Sequence, residues 1–163
     1  MNYYIKQKLF SWKDKFMVKN SLGQDVYSVE GELLSWGKKL HVKDKNGKEV
    51  LYIEQQLWKF LPTYSLCIDG KEQAKISKDF TFFKPSYTIE GPSWQVEGSI
   101  WEHNYQIVNN QGIVADISKE WLTWGDSYAL DIKDESHALL ALGAIIVIDC
   151  VMSSQQSTAN SGL

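Results

Sequence analysis

Two stretches of this chain invite a chemical reading. Gly31-Glu32-Leu33-Leu34-Ser35-Trp36-Gly37-Lys38-Lys39 resembles a phosphate-cradling loop, but five residues separate the glycines where that loop needs four, and no Ser or Thr follows the first lysine. A strand, a turn and a second strand are the expectation there. Asp126, Asp131, Asp134 and Glu135 supply oxygen ligands of the kind Ca²⁺ takes. Their spacing does not fit an EF-hand loop and the central glycine is missing, so hairpin solvation and helix capping are the better account.

The histidines are scattered. His41 falls on the polar parity of its strand and is expected in solvent; His103 shares parity with Trp101 and Tyr105 and is expected to face inward, hydrogen-bonded; His137 falls in a first helical turn. A lone histidine without a partner in reach does no acid–base work. No G-x-S-x-G elbow and no H-E-x-x-H pair occurs. Cys67 and Cys150 lie in no C-x-x-C or C-x-x-H pattern, which leaves them as small buried hydrophobes. The expectation is a protein with no catalytic residues, no metal and no cofactor.

Asp149 stands apart from these groups. It sits among apolar neighbours, Ile146-Val147-Ile148 before it and Cys150-Val151-Met152 after it, where a carboxylate needs a buried donor. A structural hydrogen bond from strand backbone or a tryptophan N–H is expected, ahead of proton handling.

The elements that must hold these residues read clearly. Period-two alternation recurs along the chain, in Tyr3/Ile5, Leu40/Val42, Ala74/Ile76, Tyr87/Ile89, Tyr105/Ile107, Ile113/Ala115/Ile117 and Tyr128/Leu130/Ile132. Asn46-Gly47 and Asp69-Gly70 are tight-hairpin dipeptides, and Leu22-Gly23 and Gln111-Gly112 look like related bends. Ten to twelve short antiparallel strands follow. Residues 50–68 align without a gap on 114–132, pairing Ile53 with Ile117, Tyr64 with Tyr128 and Leu66 with Leu130, while Val29-Glu30-Gly31 returns as Val96-Glu97-Gly98. The alignment predicts two similar halves about a pseudo-two-fold axis.

One segment breaks the alternation. From His137 to Met152 there is no polar face, and Asp134-Glu135-Ser136 ahead of it supplies a cap and negative charge for a helix start. A helix apolar all round must be enclosed. Its uninterrupted apolar part, Ala138 to Ile148, is shorter than the roughly twenty residues a membrane span needs, so enclosure by the protein's own sheet is expected. A sheet closed around the helix also removes exposed strand edges. The expected architecture is therefore mainly β: a closed antiparallel barrel of about twelve strands around a central hydrophobic helix near 137–152, forming one domain over 1–152, with 153–163 a loose polar tail.

Charge is uneven: residues 1–60 carry eleven Lys against seven acids, whereas 61–163 carry six Lys against thirteen. No arginine occurs, which counts against sequence-specific nucleic-acid reading. Lys38, Lys39, Lys43, Lys45 and Lys48 cluster in sequence around the Asn46-Gly47 hairpin and are the expected contacts for an anionic phospholipid surface. Most of the seven tryptophans are expected between sheet and helix, with Trp12 and Trp36 the candidates for a membrane interface beside Lys13, Lys15, Lys38 and Lys39. The N-terminus lacks the apolar run of a secretory signal, so a cytoplasmic location is expected, peripheral to the inner face of the membrane.

Taken together, Tyr3-Tyr4-Ile5-Lys6-Gln7-Lys8, Asp14-Lys15-Phe16, Val29-Glu30-Gly31, Phe82-Phe83-Lys84-Pro85, Trp121-Leu122-Thr123-Trp124-Gly125-Asp126 and the helix ending Ile148-Asp149-Cys150 make the chain resemble the LURP-one-related proteins of the tubby C-terminal-like superfamily, which also holds the phospholipid scramblases. The resemblance implies a twelve-stranded barrel around a central hydrophobic helix. For function it implies a non-enzymatic binding or scaffold module that touches anionic lipid headgroups, with a scramblase-like, lipid-active protein as the alternative. The lysine and arginine pattern of the tubby phosphoinositide site finds no residue-by-residue match here, and the cysteine-rich or proline-rich extension of scramblases is not found.

Overall fold

The computed structural model describes residues 1–6, 15–122 and 125–162, and the side chains of all of these except 120–122 and 125–126. Among them run twelve strands: β1 (Asn2–Lys6), β2 (Lys15–Asn20), β3 (Asp25–Gly31), β4 (Lys39–Asp44), β5 (Glu49–Gln55), β6 (Thr63–Ile68), β7 (Lys71–Lys78), β8 (Tyr87–Glu90), β9 (Trp94–Ser99), β10 (Asn104–Asn109), β11 (Gly112–Leu122) and β12 (Gly125–Ile132). A 3-10 turn, Glu135–His137, leads into α1 (Ala138–Ser161). Each strand pairs antiparallel with its neighbours in sequence, and β1 closes the ring on β12 with Tyr3 opposite Leu130 and Ile5 opposite Tyr128. Among the described strands no edge is left for another chain to pair with.

Alternation does what it predicts. Val18, Val29, Leu40, Val42, Ile53, Leu66, Ile76, Ile107, Ile117, Leu130 and Ile132 are fully buried on the inner face. Asp69 (φ 50°) and Gly70 (φ 72°) both hold the positive φ that a two-residue hairpin requires, whereas in the 45–48 connection only Gly47 (φ 80°) does, closing a longer turn in which its N–H donates to the Asp44 carbonyl at 2.9 Å. The duplicated segments also fall where the alignment places them. Residues 50–68 cover β5 and β6 and residues 114–132 cover β11 and β12, six places away on the ring, and β3 stands in the same relation to β9.

Helix α1 fills the lumen. Leu140 through Met152 are all buried, and Asp134 caps the preceding turn by accepting from the Ser136 N–H. From Ala138 to Met152 a helix rises about 21 Å at 1.5 Å per residue, close to the roughly 20 Å of a six-residue strand. The helix enters at one end of the barrel and emerges at the other.

Two expectations are corrected here. The segment from Ser153 is not a loose tail: α1 continues to Ser161, with Ser154 Oγ donating to the Cys150 carbonyl at 2.8 Å and Thr158 Oγ1 to the Ser154 carbonyl at 2.9 Å. The helix is therefore 24 residues and long enough to cross a bilayer, so its length does not argue for burial; the barrel wall around it does.

Strand alternation also sorts the connections. Connections after even-numbered strands, at 21–24, 45–48, 69–70, 91–93 and 110–111, form a hairpin end, where α1 enters. Connections after odd-numbered strands, at 32–38, 56–62, 79–86 and 100–103, are mostly longer and form the opposite end, where α1 emerges.

Candidate functional site

The end where α1 emerges is apolar and exposed. Leu34 and Trp36 on the 32–38 loop are 99% and 84% exposed, and Leu33 beside them is exposed too. Trp58 and Phe60 on the 56–62 loop are 96% and 93% exposed, and Phe82 and Phe83 on the 79–86 loop are 84% and 96% exposed. Leu57, Phe80 and Trp101 complete the set. Only Met1, Leu22 and Ile113, among the described large hydrophobic residues that are exposed, fall elsewhere. Single exposed apolar residues are ordinary, whereas ten gathered on neighbouring loops at one end are not, and they make this end the candidate site.

Lysines flank this rim. Lys38, Lys59 and Lys84 sit on its loops with no carboxylate partner among the described residues, while two of the rim's acids are engaged elsewhere. Glu32 bonds His41 Nε2 at 2.7 Å, and Asp79 accepts from Ser86 Oγ at 2.6 Å and Thr88 Oγ1 at 2.7 Å. Between the emerging turns of α1 and the loops lies a groove of about 500 Å³, with Pro62, Tyr64 and Val151 in its lining and Lys38 at its margin.

The five lysines expected around the Asn46-Gly47 hairpin are not one site. Lys45 and Lys48 are exposed at the hairpin end; Lys38 and Lys39 lie at the opposite end of β4, about 17 Å away along a strand rising 3.3–3.4 Å per residue. Lys43 bonds Glu30 at 2.7 Å and Lys39 pairs with Glu54 at 3.7 Å. The outer face of β3–β5 is a ladder of paired charges: Lys15 and Lys43 hold the Glu30 carboxyl down to about 2, and His41 lies between Glu49 (2.5 Å) and Glu32 (2.7 Å).

The tryptophans also depart from expectation. Of the four whose side chains are described, only Trp94 is buried, whereas Trp36, Trp58 and Trp101 stand on the rim. Trp36, expected at a membrane interface, stands exposed on the rim. Trp12 and Lys13 lie outside the described residues, as do Trp124 and the side chains of Trp121 and Asp126. The other acids serve the turn, as expected: Asp131 pairs with Lys133, and Asp134 with Ser136 and His137.

Asp149 has no hydrogen-bond donor among the described residues, contrary to the expectation of a strand amide or tryptophan N–H. It is 2% exposed, and neither carboxylate oxygen meets a partner. Burial alone pushes its carboxyl well above the usual carboxylate range. The nearest charged or basic group is His103, whose Nε2 lies 3.7 Å from Oδ1. His103 does not sit hydrogen-bonded in the core as expected; its imidazole is half-buried in the 100–103 turn, stacked on Tyr128 at 5.0 Å. Burial first, and then Lys119, lowers its pKa. Among the described residues no group of three or more His, Cys, Asp or Glu is placed to hold a metal.

A family model for LURP-one-related proteins matches residues 1–149. The chain belongs to the LURP-one-related family. It is 37% identical over 153 residues to a Bacillus subtilis (strain 168) protein called "Uncharacterized protein YxjI", covering 94% of each chain. The X-ray structure of an Arabidopsis thaliana protein superposes with a TM-score of 0.64 over 92% of this chain and 90% of that one at 13% identity, which speaks to the fold. Within this LURP-one-related barrel, the feature that sequence reasoning missed is the rim. Its signal was present in Leu33-Leu34, Leu57-Trp58, Phe60 and Phe82-Phe83, apolar residues standing outside the period-two strands and beside turn residues.

Proposed function

We propose that this protein is a non-enzymatic module that docks peripherally on an anionic membrane surface through the aromatic end of its barrel. The observation that carries the reading is the gathering of exposed Trp, Phe and Leu on neighbouring loops, flanked by Lys38, Lys59 and Lys84. Tryptophan and phenylalanine suit the headgroup boundary, where an apolar ring is buried shallowly, and lysines beside them add attraction to anionic lipid. The reading moves the contact surface from the Asn46-Gly47 hairpin to the other end of the molecule.

Co-sedimentation of the full chain with phosphatidylcholine vesicles, with and without phosphatidylglycerol, at low and physiological salt tests this. Binding is expected with phosphatidylglycerol, weaker as salt rises. The pair Trp58→Ser and Phe83→Ser should lower it at least about tenfold, since each ring contributes up to about 1.5–3 kcal/mol when fully removed from water, and should leave the melting temperature within about 2 °C. No binding at either salt, or binding untouched by the pair, overturns the reading.

The length of α1 favours a second reading, a lipid-active protein in which the helix leaves the barrel for the bilayer. Its cost is the barrel's core, since Leu140 to Met152 are all buried. Redistribution of fluorescent lipid in vesicles carrying the protein would support it, and inert vesicles that still bind the protein would remove it.

A further inference from the structure

A carboxyl group in the middle of an enclosed helix needs a physical account. Asp149 is flanked by fully buried Ile148 and Cys150, and the helix backbone around it is engaged in its own i→i−4 ladder, so no free amide is at hand. An isolated ionised carboxylate in such surroundings costs far more than a domain's net stability, and a group in that position takes up a proton instead.

The neighbours supply no cation in hydrogen-bond range. Tyr87 from β8 and Tyr105 from β10 face Asp149 with hydroxyls that also lack a partner. Tyr64 from β6 lies next to Tyr87 and Cys150, and Cys150 follows on the helix itself. Tyr128 from β12 stacks on His103, and Lys119 from β11 acts on His103 from outside. All but Lys119 are neutral near pH 7, His103 included, because burial lowers its pKa.

Among the described residues, His103 is the one titratable group that meets both Asp149 and solvent. Its imidazole is 21% exposed and its Nε2 lies 3.7 Å from the carboxyl, just beyond hydrogen-bond range. It sits in the 100–103 turn on a left-handed backbone, φ 50°, and its main-chain N–H donates to the Ile100 carbonyl at 3.1 Å.

We propose that Asp149 is a buried proton-binding site near the rim end of the central helix, exchanging its proton with solvent through His103. The transfer conserves atoms and charge: the carboxyl O–H breaks as the proton passes to the imidazole Nε2, giving carboxylate and imidazolium, and the imidazolium then yields a proton to water from the ring. What remains is one negative charge inside the barrel. Asp149 stands one turn below Met152, the last buried residue of α1, so ionisation favours movement of the helix toward the end where it emerges. The proton thus acts as a ligand that keeps α1 in place, lost as pH rises. This does not rest on the membrane reading.

Two measurements on the full chain test it. Infrared or ¹³C carboxyl spectroscopy of wild type at pH 7 is expected to show one protonated carboxylic acid that vanishes in Asp149→Asn. Its exchange after dilution into D₂O should slow at least about tenfold in His103→Gln. A carboxyl signal for Asp149 that titrates near 4 like an exposed Asp overturns the site, and an unchanged exchange rate in His103→Gln overturns the route. The wild-type spectrum needs no variant to fold. In addition, the unfolding constant of wild type should rise about tenfold per pH unit relative to Asp149→Asn between the unfolded-state pKa of about 4 and the folded one. Parallel pH profiles for the two proteins sink the proposal.

Discussion

Gly143 faces Leu51 so closely that a Cβ on the glycine would lie 2.5 Å from Leu51 Cδ2, and 2.8 Å from Leu66 Cδ2 beyond it. Both leucines are essentially without exposure, on β5 and β6. A glycine inside a helix costs about 1 kcal/mol relative to alanine. Its place here is explained by the gap it leaves for two strands.

Gly143→Ala should therefore destabilise despite the gain in helix propensity. Overpacking a filled core costs about 1–3 kcal/mol, and subtracting the propensity gain of about 1 kcal/mol leaves a net loss of up to about 2 kcal/mol. In a Leu51→Ala background the added methyl finds space, and the same change should become neutral or stabilising. Urea unfolding of the four proteins in a double-mutant cycle measures this; additivity would show that Gly143 and Leu51 do not compete for volume.

The barrel and its central helix were legible in the sequence because burial imposes a period. Inner strand residues recur every second position, and the stretch from Ala138 to Ile148 has no polar face to turn outward. The polar turns after Met152 were not legible, because Ser153 to Ser161 bury little and show no apolar stripe. Once a helix is nucleated, adding residues to it carries no further nucleation cost, and Ser154, Ser157, Thr158 and Ser161 donate back to helix carbonyls. The tryptophans misled for a spatial reason. With α1 in the lumen, the inner face takes Val, Ile, Leu and Tyr, and of the described indoles only Trp94 is accommodated there. The lysines misled because adjacency along one strand spreads side chains over its length, as Lys38 and Lys48 do at opposite ends of β4.

His41 provides a pH test of the outer charge ladder. Partial burial works to lower its pKa, but the carboxylates of Glu49 and Glu32 at its two ring nitrogens outweigh this and raise it. A group whose folded pKa lies above its unfolded value of about 6.5 adds stability that is complete below that value and is lost as pH rises through the folded pKa. His41→Gln should cost more stability at pH 6 than at pH 9. Equal costs at both would show that the imidazole is not charged by its neighbours, and NMR titration of the ring should place its midpoint above 6.5.

Truncation separates the two parts of α1. Ending the chain after Ser153 removes residues that bury little, so the barrel should still unfold cooperatively with a melting temperature lowered by a few degrees at most. Ending it after Glu135 removes the buried run from Leu140 to Met152 and should leave an insoluble or unfolded chain. A soluble 1–135 fragment with a cooperative melt would mean that the strands pack without their central helix.

The lysines decide which end of the barrel meets lipid. Lys59 and Lys84 lie on rim loops among exposed aromatic side chains, whereas Lys45 and Lys48 lie on the hairpin at the other end, and none of the four has an ion-pair partner among the described residues. Near an anionic surface each lysine contributes about 1 kcal/mol, an attraction that fades within a Debye length of about 8 Å at physiological salt. A barrel about 20 Å long, taken from its strand rise, keeps one pair outside that range when the other is in contact. Lys59→Gln with Lys84→Gln should weaken binding to phosphatidylglycerol vesicles roughly thirtyfold, as two contributions of about 1 kcal/mol imply, while Lys45→Gln with Lys48→Gln should change it less than about twofold. The reverse ranking would return the contact surface to the Asn46-Gly47 hairpin and leave the aromatic rim to another partner.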